Sequence, residues 1–384
     1  MPLRANCQAH KIHKSFNWGL TYTGDLMANV AGGKGQGVRY LDNIDATLSV
    51  NLNTLAGLKR TKAFFYGLGN QGGSISSLAG DVQGLDNIEA ENSWRLYEAW
   101  IEHIFPRLKT SVLAGKYDLN SEFDVNPTAQ LFINSSQGIG AAYGNSGVMG
   151  PSIFPYTSLA VRVKTQVENG LYFKAAVFDG VPSDPGNSRG TKIFFHKKDG
   201  ALIATELSYT PGPKQAKNGF KYQFLGRGVE PVNGYRLTLG GWLYTQPRMG
   251  WVKSHQRGRG LYASVDAKLY HKPQTAEQGL AGYVRLGIAN GKINRFTGYT
   301  GAGLVYTGLF KGHNQLGVAT AISWSSSDYK TIARRQNLLP AQNESDIEGT
   351  YLFAISPEFQ LQFDAQYIIH PNTLHSISNS FVVG

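Results

Sequence analysis

Apolar and polar residues alternate along most of this chain with a period of two, which predicts β-strands. In 159–167 the odd positions are mostly apolar, whereas Arg162, Lys164 and Gln166 lie between them. Successive side chains of a strand point to opposite faces, so each strand has one apolar and one polar face. The same alternation recurs in 18–30, 235–244, 261–270 and 359–369.

These strands are long enough to cross a lipid bilayer. They run for about 10–13 residues, whereas strands of globular proteins have a mode of about 5–6 and a tilted membrane strand needs about 9–11. Aromatic rings at the ends of an outward apolar face are typical of the girdles of outer-membrane barrels. Such rings occur at Trp18, Tyr235, Tyr351 and Phe359. A soluble sandwich or propeller fits less well, because the polar faces carry few charges.

The pattern predicts an all-β fold, a closed antiparallel transmembrane β-barrel of about 16 strands, and barrels of that size leave an aqueous channel. The segment 221–225 could hide one more strand. The last candidate stops at Gly384 and is too short to cross, so we expect the natural chain to continue and close against the first strand. The candidates are 17–30, 40–53, 60–70, 93–105, 109–118, 157–168, 170–180, 200–211, 234–246, 259–271, 279–290, 298–310, 315–326, 348–356, 358–370 and 379–384.

We predict one domain, a barrel over 17–384, preceded by an N-terminal segment over 1–16. Residues 125–161 contain no charge and are rich in Gly, Ser, Asn and Pro, and the stretch is too long for a hairpin turn. Such a loop is suited to fold into a polar lumen and constrict it, although the pattern alone fits an outer position equally well. A second long connection, 71–92, has an acidic bias.

Composition narrows the function classes. Charged residues are 16% of the chain, and 37 Lys and Arg against 26 Asp and Glu give a net charge of +11. The basic residues are dispersed over many strands, which fits a positively biased cavity better than a nucleic-acid partner. The single cysteine excludes a disulfide framework, and no apolar run is long enough for a transmembrane helix. The N-terminus lacks the apolar region of a signal peptide, so an exported protein would be present in mature form.

The hypothesis that the protein is an enzyme depends on two acidic residues. Glu98 and Glu102 share one face of strand 93–105 with Trp100, and two carboxylates beside a ring could serve a glycoside hydrolase. Acids that line a lumen beside a sugar-stacking ring explain the same pattern. A barrel-borne enzyme is therefore the weaker alternative, and no spacing indicates a metal or another cofactor.

Short motifs in order along the chain resemble the carbohydrate-selective porin family, the OprB-type glucose porins of Gram-negative outer membranes. Because the motifs occur in order along essentially the whole chain, the resemblance is more specific than any single match. The motifs that carry the resemblance are Thr21–Asp25 (TYTGD), Gly80–Gly84 (GDVQG), Arg95–Trp100 (RLYEAW), Asp118–Phe123 (DLNSEF), Phe132–Ser136 (FINSS), Phe178–Gly180 (FDG) and Gln366–Pro371 (QYIIHP).

The resemblance implies a porin in a Gram-negative outer membrane through which monosaccharides such as glucose diffuse. Its small-molecule partners would be sugars, its surroundings outer-membrane lipid, and a homo-oligomer is left open. It also implies a constriction lined by arginines and acids. The positions carried over are Arg95, Glu98, Asp118, Glu122 and Asn134.

The alternation of inward and outward positions along the strands indicates three further site residues. These are Trp100, as a ring on which a sugar could stack, and Arg162 and Arg236, as cations that face the lumen. Arg95 and Glu98 lie three apart and would face opposite sides of a regular strand, so this assignment requires a bulge or a strand end. The alternative function is a general or anion-preferring porin, which the net charge of +11 favours.

Overall fold

The computed structural model describes residues 4–12, 15–211, 234–252, 254–273, 275–309 and 312–384. Within them, seventeen antiparallel strands form one sheet that closes into a barrel. The strands are β1 (Arg4–Ile12), β2 (Phe16–Gly33), β3 (Gly37–Asn51), β4 (Thr61–Gly72), β5 (Ser93–Phe105), β6 (Thr110–Tyr117), β7 (Ser158–Glu168), β8 (Leu171–Asp179), β9 (Ala201–Tyr209), β10 (Tyr235–Tyr244), the separate short pair β11 (Arg248–Met249) and β12 (His255–Gln256), β13 (Arg259–Lys272), β14 (Thr275–Ala289), β15 (Phe296–Thr307), β16 (Gln315–Ser325), β17 (Asn343–Ala354), β18 (Phe359–Ile369) and β19 (Ser378–Val383).

The two ends of the chain share one strand position between β2 and β18. β19 pairs with the C-terminal half of β18, where Val383 lies opposite Ala365. β1 pairs with the N-terminal half of β18, where Arg4 lies opposite Gln362. Both strands also pair with β2. The described part of the chain therefore has sixteen strand positions, and β1 occupies the place beside Gly384 where we expected a continuation of the chain.

The predicted strands correspond closely to the observed ones. The candidate 93–105 coincides with β5, and 259–271 falls one residue short of β13, whereas 348–356 begins five residues after β17 does. The segment 221–225 lies outside the described residues. β1 was not predicted as a strand.

The distribution of side chains is the reverse of that in a soluble protein. Leu239 and Val265 on the outer face are 58% and 45% exposed, whereas Thr238 and Asp266 on the inner face are 5% and 1% exposed. Alternation along a strand produces this pattern when lipid lies outside and polar groups lie inside. Exposed outer rings occur near both ends of the wall, at Trp18, Tyr235 and Phe359 and at Trp94, Trp324 and Tyr367.

In the part of the chain that the structure describes, helical segments occur only in the connections, and no helix is long and apolar enough to cross a membrane. The α-helices are α1 (Leu52–Ala56), α2 (Ser76–Ala79), α3 (Ser135–Gly138), α4 (Ala141–Gly144) and α5 (Ser327–Arg335), and the 3₁₀ turns are Pro106–Leu108, Leu119–Ser121, Pro127–Leu131, Lys197–Asp199 and Pro371–Thr373.

Three long connections leave the same end of the barrel: 73–92, 118–157 and 180–200. Outer-membrane barrels carry their longer loops at the extracellular end, so we refer to this end as the loop end. The connection 210–234 belongs to the opposite end, and most of it lies outside the described residues.

Candidate functional site

The connection 118–157, named here the first inner loop, lies inside the barrel. Carboxylates on the wall hold its backbone. Asp266 of β13 accepts hydrogen bonds from the N–H and the hydroxyl of Thr128, at 2.8 and 2.6 Å, and Glu348 of β17 accepts from the N–H of Ile133 at 2.6 Å. Because these acids lie on different strands, the loop is fixed across the interior. The inward folding predicted for 125–161 is confirmed for 125–157, whereas 158–161 belong to β7.

The connection 73–92, the second inner loop, also lies inside. Glu344 of β17 accepts hydrogen bonds at 3.0 Å from the N–H groups of both Val82 and Gln83. The two inner loops bind each other through the Ser135 N–H to the Gly84 carbonyl at 2.7 Å and the Asn87 N–H to the Ile133 carbonyl at 2.9 Å. The uncharged stretch gave a signal for the first loop, whereas the second loop was recognised only as long and acidic.

A bulge at Tyr97 orients two of the predicted residues. Tyr66 of β4 lies opposite Glu98, but the next residue, Gly67, lies opposite Leu96, so Tyr97 is an extra residue in β5. Arg95 and Glu98 consequently both face the interior and are 7% and 3% exposed. This is the bulge that the three-residue spacing required.

Arg95 and Glu98 contact opposite ends of the first inner loop. The Arg95 guanidinium donates to the Pro155 carbonyl at 3.2 Å and lies over the Tyr156 ring at 4.9 Å. The Glu98 carboxylate accepts from the Asp118 N–H at 3.2 Å and from Trp100 Nε1 at 3.0 Å. The side chains of β5 therefore fix both the entry and the exit of the loop.

A chain of alternating charges links the first inner loop to the wall. Arg162 of β7 binds Glu122 through Nε at 2.7 Å and Glu102 through Nη2 at 2.9 Å. Lys62 of β4 lies 3.0 Å from the Glu102 carboxylate, and Lys164 lies 3.3 Å from that of Glu122. Three basic side chains are thus held around two acids.

A second ionic group lies beside the first. Glu206 of β9 is 2.6 Å from Lys174 and 3.3 Å from Arg236, and it accepts the Tyr262 hydroxyl at 2.8 Å. Lys174 also donates to the Glu122 main-chain carbonyl, which joins the two groups. The sequence analysis did not select Lys62, Lys174 or Glu206 as site residues. Their positions on the polar, lumen-facing side of the alternating pattern could have identified them.

In these groups Lys62, Lys164 and Arg236 are more exposed than the acids they contact, whereas Arg162 and Lys174 are buried. Side-chain exposure is 30% for Lys62 against 1% for Glu102, 25% for Lys164 against 14% for Glu122, and 20% for Arg236 against 0% for Glu206. Acids on β2, β3, β17 and β18 are also buried. They are Asp25, Asp45, Asp346, Glu348 and Asp364, none more than 5% exposed. Water inside the barrel therefore meets these cations more than the acids.

The pKa values of two carboxyl groups of the first inner loop are shifted in opposite directions. Burial raises the pKa of Asp118 to about 6, although hydrogen bonds from Tyr97 and Asn120 favour its ionised form. Burial opposes ionisation of Glu122 as well, but Lys164, Arg162 and Lys174 outweigh it and hold its pKa well below the usual range. Glu122 remains an anion near neutral pH.

Asn134 lies away from the other predicted residues. Its amide donates to Gln366 on β18 at 3.1 Å and its carbonyl oxygen accepts from the Ser136 N–H at 3.0 Å, as the N-cap of α3. It is 1% exposed. The structure thus places Arg95, Glu98, Trp100, Asp118, Glu122, Arg162 and Arg236 on the side of the barrel formed by β5 to β10, and Asn134 against β17 and β18.

The candidate stacking ring is covered by protein. Trp100 is 2% exposed and packs against Phe64, with ring centroids 5.1 Å apart. Trp242 is 4% exposed and stacks on Tyr143 at 4.1 Å. The acid pair Glu98 and Glu102, considered for hydrolysis, is likewise engaged by the contacts described above.

Comparison with known proteins gives concordant matches. The model of the carbohydrate-selective porin family, OprB, matches residues 35–384. Porin B of Pseudomonas aeruginosa is 21% identical, with 97% of this chain and 87% of Porin B covered, and the putative porin QuiX of Acinetobacter baylyi is 24% identical, with 76% and 68% covered. The high-pH structure of Pseudomonas putida OprB has a TM-score of 0.81 at 19% identity, covering 96% of this chain and 93% of that one, which shows a common fold.

Proposed function

Since the chain belongs to the OprB family of carbohydrate-selective porins and is therefore an outer-membrane sugar porin, we propose that it lets monosaccharides such as glucose diffuse past a mainly basic, water-facing ionic lining. The observation that carries the proposal is the unequal exposure within the ion pairs, where Lys62, Lys164 and Arg236 are more exposed than their acidic partners.

The chemistry of this lining suits a neutral, hydroxyl-rich solute. Ammonium and guanidinium groups donate charge-assisted hydrogen bonds to sugar oxygens. Their partial neutralisation by Glu102, Glu122 and Glu206 keeps them in place but leaves donor capacity on the water side. Passage requires contacts that are individually weak and repeated along the path, because a tight site would block the pore.

The proposed constriction lies beside the first inner loop, where the loop binds the wall formed by β5, β7 and β8. Arg95, Glu98 and Arg162 support this arrangement by binding the loop or its Glu122 carboxylate, and so set the distance between the loop and the wall. In this proposal the side chains of Glu122 and Lys164 contact the solute in the passage. Glu98 and Trp100 are almost fully buried and support the loop without contacting the solute.

A general or anion-preferring porin is the second candidate, and the same exposed cations favour it, because a ring of one sign selects ions of the other. A planar bilayer separates the two functions. For a sugar porin we expect glucose on one side to lower the single-channel ion current reversibly, with an anion-directed zero-current potential. An undiminished current at saturating glucose, with the same potential, would identify a general anion-preferring porin instead.

A further inference from the structure

The wall of the barrel is incomplete beside β6. Pairing of β6 with β5 ends where Ala99 lies opposite Lys116, because the chain turns inward at Asp118. The stretch 93–98 of β5 therefore has no β6 partner along this edge. Unpaired backbone groups facing hydrocarbon are costly, so this edge must be covered.

A segment of the connection between β8 and β9 covers it. The Leu96 N–H donates to Thr191 Oγ1 at 3.0 Å, and the Lys116 ammonium donates to the Lys192 main-chain carbonyl at 3.4 Å. The Thr157 hydroxyl donates to the Tyr97 carbonyl and so satisfies another group of the same edge. Residues 191 and 192 thus lie along the open edge of β5, at the loop end, and 193–195 follow them directly.

The charge within this segment is turned inward and neutralised. Lys192 is 5% exposed, and its ammonium lies 2.8 Å from the Asp179 carboxylate, 2.6 Å from that of Asp199 and 2.8 Å from the Val181 carbonyl. A buried ammonium with three partners fixes the segment at its base. The segment is therefore anchored immediately before Ile193.

The outward side of the segment is strongly apolar. Ile193, Phe194 and Phe195 are 63%, 45% and 64% exposed, and the adjoining outer residues of β5, Trp94 and Leu96, are 62% and 38% exposed. Three consecutive exposed apolar residues in a loop are unfavourable in water and indicate an interaction surface.

We propose that residues 193–195 insert into the acyl-chain region of the outer leaflet and complete the lipid-facing wall where β6 is short. The surface is continuous with the apolar band of β5 through Leu96, the residue whose N–H binds Thr191. Lys197 and Lys198 follow directly and are exposed, as suits side chains that meet lipid phosphates. This proposal depends on the outer-membrane barrel and is independent of which solute passes through it.

Spin labels at single cysteines test the insertion. In a Cys7→Ser background reconstituted in phospholipid vesicles, we would label Phe194→Cys and, as a second site, Ile193→Cys. Val265→Cys serves as the lipid-facing control and Arg189→Cys as the aqueous control, exposed in the same loop. Oxygen concentrates in hydrocarbon, whereas a polar nickel complex remains in water, so the ratio of their relaxation effects reports depth.

We expect the ratio of oxygen to nickel accessibility at 193 and 194 to approach that at 265 and to exceed that at 189. A ratio like that at 189 would place the segment in water and overturn the proposal. Low accessibility to both reagents would show that protein covers the segment, as in contact with a second copy of this chain, and would overturn it equally.

Discussion

Arg95 and Glu98 lie three residues apart in β5, yet both side chains face the barrel interior, because Tyr97 is an extra residue in the pairing with β4. Each then binds a different end of the first inner loop, at the Pro155 carbonyl and the Asp118 N–H. One bulge therefore determines how β5 positions the loop that narrows the barrel.

Loss of a contact between the first inner loop and the barrel wall should widen the passage. Arg95→Ala removes the donor to Pro155, and Glu122→Ala removes the acid between Arg162 and Lys164. We expect higher single-channel conductance together with weaker glucose block in both variants, because the same groups would set radius and hydrogen bonding. Glu168→Ala, an exposed acid at the end of β7, is the control. Wild-type conductance and block in both variants would remove these residues from the constriction.

The exposed cations should make the channel favour anions. Under a salt gradient we expect a zero-current potential that indicates anion preference, and a smaller one in Lys164→Gln and Arg236→Gln, since each change removes a water-facing positive charge. Lys59→Gln, in the exposed turn before β4, removes a charge outside the lumen and should leave the potential unchanged. A clear cation preference in the wild type would show that the buried acids dominate the lumen.

The carboxylate of Asp266 should restrain the first inner loop. Asp266→Ala leaves the buried N–H and hydroxyl of Thr128 without their acceptor, at a cost of about 1–3 kcal/mol. We expect more frequent fluctuations of the open-channel current. Asp266→Asn, which retains one acceptor oxygen, should give an intermediate effect. Current noise at the wild-type level in the alanine variant would mean that other contacts hold the loop.

The inside–outside assignment predicts unequal effects of two arginines. Val265→Arg places a charge on the lipid face, which costs about 2–4 kcal/mol at mid-depth. Thr47→Arg, on the inner face of β3 and partly exposed, should cost much less. Folding titrations into lipid vesicles measure the difference, and equal destabilisation would contradict the assigned phase.

The alternation of apolar and polar residues was sufficient to predict the strands of the barrel wall, because lipid outside and polar groups inside impose a period of two on every strand. It succeeded for β5 and β13, whose predicted limits agree with the observed ones to within one residue. It failed for Arg4–Ile12, where the strand is defined by its pairing with β2 and β18.

The site was less predictable, because it depends on contacts between residues distant in sequence. The alternation identified Arg162 and Arg236 as lumen-facing, but not that Glu102 and Glu206 would lie beneath the exposed Lys62 and Arg236. The roles of Asp266 and Glu348 as loop anchors follow from where the loop crosses the barrel, which no local pattern encodes.

Swelling of liposomes in isotonic sugar solutions measures whether this barrel passes monosaccharides by diffusion. We expect rapid swelling with glucose and other monosaccharides and progressively slower swelling with di- and trisaccharides, at rates proportional to the concentration gradient. Swelling with glucose no faster than in protein-free liposomes, in vesicles whose ion conductance proves that the channel is present and open, would contradict this expectation.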